Sequence, residues 1–135
     1  MKKTLRIATL VLILGLVSGA TWAAGQPWYV DYENAIKSID RGNAEVAENT
    51  LRDLIQRRVV PRENARTYGV WRTDYTPYYY LGVALEQQGK SDEALKAFEI
   101  GLKFGVVQRD ADKLRTIEAH RAEYASASTV ARSTR

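Results

Sequence analysis

The chain has no cysteine, one histidine, one methionine and three prolines among 135 residues. The missing thiols exclude a disulfide framework, a lipid-modified N-terminal Cys, a thiolate metal site and a Cys nucleophile. His120 has no second His or Cys near it, so neither a metal site nor a Ser-His-Asp arrangement can be assembled around it. Its charged surroundings in the sequence predict a surface position. No Gly-rich loop of the nucleotide-binding kind precedes a helix; the glycines mark turns and close packing instead. What is present, 45% hydrophobic and 27% charged residues, suits one small globular domain held by packing alone.

Charge is also scarcer than the whole-chain figure suggests. Lys2, Lys3 and Arg6 lead into an apolar run over 7–17 and then into the small-residue stretch Ser18-Gly19-Ala20-Thr21-Trp22-Ala23-Ala24. That order is a secretory signal peptide over 1–23, with cleavage after Ala20 or Ala23. The run falls well short of the roughly 20 residues a spanning helix needs, which makes an uncleaved membrane anchor the alternative. Removing the leader takes the formal charge from +4 to about +1, so the basic pI gives no case for nucleic acid. The expected location is the periplasm or an equivalent exported space.

Helical periodicity dominates the chain from Trp28 onward. Trp28, Tyr29, Tyr32, Ala35, Ile36 and Ile39 share one face, and Asp31, Glu33, Lys37 and Asp40 the other. After the break at Gly42-Asn43, Val46, Ala47, Leu51, Leu54 and Ile55 form a second stripe opposite Glu45, Glu48, Arg52 and Arg57. Pro61 ends this hairpin, and 62–76 has no clean period. Thr76-Pro77 opens a third helix, with Thr76 as a side-chain cap and Pro at the first helical position. Ser91-Asp92-Glu93 opens a fourth, with Ala94, Leu95, Phe98 and Leu102 as its buried face. A fifth helix over 108–125 has the thin stripe Ala111, Leu114, Ile117, Tyr124. The polar tail 126–135 is expected to be mobile.

The stretch Tyr78, Leu81, Gly82, Leu85, then Ala94 and Phe98, resembles a tetratricopeptide (TPR) repeat. The small Gly82 and Ala94 fall where two helices cross, and Gly101 lets the next helix approach. Two positions depart from the pattern: Leu85 replaces a Tyr, and Val106 replaces the closing Pro. An upstream copy is marked by Gly42-Asn43-Ala44-Glu45-Val46-Ala47, parallel to Gly89-Lys90-Ser91-Asp92-Glu93-Ala94. The family period is roughly 34 residues, so on the order of a dozen extra residues lie between the copies. The resemblance implies an all-α fold: a degenerate repeat over 24–58, an inserted Arg/aromatic connection over 59–75, a second repeat over 76–106 and a capping helix over 107–125. Such a short array needs further apolar cover, from Tyr68, Val70, Trp71 and Tyr75 of the insert or from a second copy in a homodimer.

No catalytic residue, metal ligand or cofactor is assigned. Glu86 with Asp92 or Glu93 could be drawn as an acid/base pair for glycoside cleavage, but solvated helix carboxylates explain them without that step. The resemblance instead implies a protein-binding adaptor whose concave face carries Tyr79, Val83, Glu86 and Gln87 from the third helix and Val30, Glu33, Lys37 and Asp40 from the first. Of the tyrosines at 75 and 78–80, Tyr78 is expected inside, with Tyr79 or Tyr75 outward. A separate basic patch, Arg57, Arg58, Arg62, Arg66 and Arg72 with Trp71, suits an acidic peptide, an anionic polymer or a membrane surface. Partner capture, polymer or membrane binding, and self-association are therefore the functions the sequence puts forward.

Overall fold

A computed structural model describes residues 25–57 and 60–134. The residues expected to form a leader, 1–23, and Arg58 of the expected basic patch lie outside the described residues. The order is α1 (Trp28–Asp40), α2 (Ala44–Arg57), β1 (Arg62–Arg66), β2 (Arg72–Tyr75), α3 (Pro77–Gln87), α4 (Ser91–Lys103), a 3-10 turn (Val107–Arg109) and α5 (Ala111–Ser133). The fold is mostly helical, with one small antiparallel ribbon.

The helices form where the spacing predicts them because each has one apolar face to bury. Tyr32, Ala35 and Ile39 of α1 meet Ala47, Leu51 and Leu54 of α2, and Leu81, Ala84 and Leu85 of α3 join Ala94, Ala97 and Phe98 of α4 in the same core. Each helix packs on the next, α1 on α2, α2 on α3 and α3 on α4, while α5 rests on α4. Gly82 explains the tight α3–α4 crossing: a Cβ there would stand 2.4 Å from the Phe98 ring, closer than any side chain tolerates. Gly101 is less constrained, since its added Cβ would make only ordinary contact with Tyr78 at 3.5 Å. The turns after α1 and α3 use Gly42 and Gly89 at positive φ, conformations that cost glycine little.

Several expectations need correction. The insert is regular: Arg62 pairs with Tyr75, Ala65 with Thr73 and Arg66 with Arg72, with a register irregularity between Arg62 and Ala65. Its tip does not cover the helices, for only Ala65 and Tyr75 of the ribbon are buried hydrophobics, whereas Tyr68, Val70 and Trp71 are exposed. Tyr75, for which the sequence left an outward position open, is wholly buried against Tyr32 and Trp28, at ring distances of 5.1 and 5.0 Å. Thr76 does not cap α3 with its side chain. Its Oγ1 lies 3.2 Å from the Tyr32 hydroxyl, which accepts the Thr76 N–H at 3.0 Å, and burial pushes that phenol's pKa up.

Helix α2 is rotated from the expected face. Val46 is exposed and Glu48 buried. The tail over 126–133 is also not irregular but continues α5 to Ser133. Alanines favour helix there, and Ser126, Ser128, Thr129 and Ser133 donate their hydroxyls back to carbonyls three or four residues earlier.

Candidate functional site

The residues expected on a concave face are brought together only in part. Helix α3 turns Tyr80 toward α1, where its ring lies 5.7 Å from Tyr32, and Gln87 reaches the Ile39 carbonyl at 3.4 Å. Tyr79 points elsewhere, with its ring 5.9 Å from Phe98 of α4 and Lys113 Nζ of α5 5.6 Å above it. Glu86 also faces α5, its Oε1 3.0 Å from His120 Nδ1. Val83 is half-buried against the core, and Val30 is half-buried on α1. On α1, Glu33 and Lys37 form an exposed pair at 3.7 Å, and Asp40 is exposed near Tyr80.

The open face is thus Glu33, Lys37 and Asp40 with Tyr80, Val83 and Gln87, bordered by Lys113. Tyr80 and Lys113 were missed. The spacing 80–83–87 is itself a helical stripe and could have identified Tyr80. Burial raises the Tyr80 phenol's pKa, opposed by Lys113, whose ammonium lies 5.8 Å from the ring centre.

His120 is a second correction, since the structure buries it rather than placing it on the surface. It follows Ile117 by three residues on α5 and fits its ring edge against Phe98 at 5.3 Å. Nδ1 lies close to Glu86 without hydrogen-bond alignment, and Nε2 is 3.4 Å from the Ser91 carbonyl. The contact fastens α5 across the α3–α4 hairpin. Among the described residues, no group of three His, Asp or Glu side chains could hold a metal ion.

A groove that the sequence did not reveal lies on the opposite side. Both α2 and α4 pack on α3, which leaves a cleft of about 320 Å³ between them. Its apolar walls come from Ile55, Tyr78, Leu81, Leu85, Ala97 and Ile100, and its polar rim from Arg52, Gln56, Glu93 and Lys96. Tyr78, Leu81 and Leu85 recur at helical spacing along the floor. Arg52 spans one end, donating to Glu48 at 2.8 Å and Glu93 at 3.0 Å. Tyr78 stacks on Phe104, with ring centres 5.6 Å apart, and Ile100, which lines the cleft, is exposed, as is Phe104.

The basic patch divides as well. Arg57 sits at the end of α2 and is held by Asp31 and Asp53, both at 2.7 Å, which raises its pKa chiefly through the Asp31 hydrogen bond. Arg62, Arg66 and Arg72 stand exposed on the ribbon with Trp71. Arg72 Nη1 donates to the Asn64 carbonyl at 3.2 Å, and Glu63 pairs with Arg109 at 2.9 Å.

Set against known protein families, curated proteins and solved structures, the chain matches none.

Proposed function

We propose that this protein is a non-catalytic, TPR-like adaptor of the exported compartment that binds a segment of a partner protein. Two helical hairpins, α1/α2 and α3/α4, followed by the covering helix α5, support the repeat reading, as does the Gly82–Phe98 crossing. The leader sequence supports export.

One observation carries the binding role: an apolar-floored cleft with a charged rim, formed by two helices that share a third. Such a cleft buries a few apolar side chains of an amphipathic segment, while Arg52, Glu93 and Lys96 fix its direction by charge. The open face around Tyr80 is smaller in apolar content and is bordered by α5. The cleft is therefore the stronger candidate.

The test is capture from a periplasmic extract by the wild-type chain, an Ile100→Asp variant and a Lys37→Ala/Tyr80→Ala variant. Ile100 lines the cleft and is exposed, so the Asp variant should fold with unchanged helical circular dichroism. Loss of a discrete partner with Ile100→Asp alone is the expected result. Equal capture by the folded Ile100→Asp variant would remove the cleft from the mechanism. Loss confined to the other variant would move the site to the α1–α3 face.

A further inference from the structure

We propose that the β1–β2 hairpin is a membrane-contact tip that seats Tyr68, Val70 and Trp71 in the interface of an anionic phospholipid bilayer. Its base is anchored by the buried Ala65 and Tyr75 and by the Arg109–Glu63 pair. Its end is the reverse of a buried element: Tyr68 is 75%, Val70 89% and Trp71 73% exposed. The loop is nevertheless ordered by its own bonds. The Thr67 N–H and hydroxyl both donate to the Trp71 carbonyl at 3.0 Å, the Trp71 N–H donates to the Tyr68 carbonyl at 3.0 Å, and Gly69 turns the chain at φ +60°. A loop whose backbone is fixed by its own bonds displays Trp, Tyr and Val with less backbone entropy left to lose on contact.

The charges behind the tip say what it contacts. Arg66 and Arg72 are direct cross-strand partners, an arrangement in which like charges destabilise a ribbon. Among the described residues neither has a carboxylate ion pair; Arg72 reaches only the Asn64 carbonyl, and the ribbon's own acids are engaged, Glu63 by Arg109 and Asp74 by the Asn64 N–H at 2.9 Å. An anion placed between the two guanidiniums relieves their repulsion. Tyr68, Val70 and Trp71 are each about three-quarters exposed or more, so they offer side chains to a surface and not the walls of a groove. The order from the end inward, aromatic and aliphatic side chains first and guanidiniums next, is that of a bilayer interface, where Trp and Tyr sit at headgroup depth and arginines meet phosphate. This contact is independent of the α2–α4 cleft, so either assignment can fail alone.

Co-sedimentation of the exported chain, without the basic and apolar leader over 1–23 that would itself enter anionic vesicles, with vesicles of phosphatidylcholine, with and without phosphatidylglycerol, tests it. Binding is expected only with the anionic vesicles. It should weaken about tenfold in Trp71→Ala and about fivefold per arginine in Arg66→Ala and Arg72→Ala. Brominated acyl chains should quench wild-type fluorescence but not the same component in Trp71→Phe, which reports insertion directly. No binding to anionic vesicles, or equal binding by folded Trp71→Ala, would overturn the proposal. So would equal retention on polyglutamate without bromolipid quenching, which would mark a polyanion site, or displacement from vesicles by inorganic phosphate at equimolar lipid phosphate.

Discussion

Glu48 offers the sharpest test of how the two hairpins are joined. It lies on α2 with one oxygen accepting from Arg52 Nε at 2.8 Å and the other from Lys90 Nζ at 2.8 Å and Gln88 Nε2 at 2.9 Å. Lys90 and Gln88 belong to the α3–α4 turn, so the carboxylate links α2 to the second hairpin. The Lys90 bond above all draws its pKa from 4.5 down to about 2. A shift of that size is worth about 3 kcal/mol by linkage. Arg52 and Lys90 are 44% and 41% exposed, and solvent screening of them reduces the expected contribution to about 1–2 kcal/mol. Because the folded pKa is the lower one, this stability is present above the unfolded value near 4.5 and is lost as pH falls toward 2. Glu48→Gln should therefore lower urea-unfolding stability by about 1–2 kcal/mol near neutrality, and the gap to wild type should close progressively below about pH 4.5. Circular dichroism across a urea and pH grid measures both. A gap of constant size down to about pH 2 would refute the electrostatic account and leave only shape as Glu48's role.

Gly82→Ala should destabilise the domain by about 2–4 kcal/mol in chemical unfolding, because its Cβ meets the Phe98 ring; Phe98→Leu in the same chain should restore part of the loss. Asp110 caps α5, accepting from the Asp112 and Lys113 N–H groups at 3.1 Å, and its ion pair with Lys113 holds its carboxyl below the usual range. Asp110→Ala should cost about 1 kcal/mol and speed hydrogen exchange in the first turn of α5 selectively. Deleting 126–135 should reduce helical ellipticity while leaving the thermal midpoint within about a degree, because Ile117 and His120 are the buried residues of α5. A large drop in the midpoint would show that the distal turns carry packing of their own.

The helices were legible because α1, α3 and α4 repeat apolar residues at three- and four-residue steps and are closed by Gly-containing turns. The ribbon was not, since a strand buried at one position has no alternation to detect: β1 buries Ala65 and β2 buries Tyr75. The continuation of α5 was hidden for the opposite reason. Its last turns bury nothing, so no stripe marks them; alanine content favours the helix, and the Ser and Thr hydroxyls are satisfied on preceding carbonyls. On the α3 face, choosing Tyr79 over Tyr80 was a rotation error of one residue, which on a helix turns the side chain by about 100° and exchanges one neighbouring helix for another. A Tyr79→Ala substitution aimed at the expected concave face would thus strip a ring from the α4–α5 junction, and Tyr80 is the better choice.

Glu48, His120 and Tyr32 share a more general reason for being misread or only half understood. Each falls in phase with an apolar stripe, Glu48 beside Ala47 and before Leu51, His120 after Ile117, Tyr32 before Ala35. A polar residue in such a phase is stable only with a partner, and here each partner comes from another hairpin: Lys90 is 42 residues from Glu48, Ser91 29 from His120, and Thr76 44 from Tyr32. Periodicity sees neighbours within a helix, so it assigns Glu48 and His120 to water, and it places Tyr32 on the apolar face without the partner of its hydroxyl. The same long-range partners sit at the joints between successive elements: α2 with the α3–α4 turn, α5 with α3 and α4, and α1 with the end of the ribbon. Apolar stripes build each hairpin and join both in one core, and buried polar contacts tie the joints between successive elements. The shape of the α2–α4 cleft depends on that joining, which is why the cleft could not be read before the hairpins were assembled.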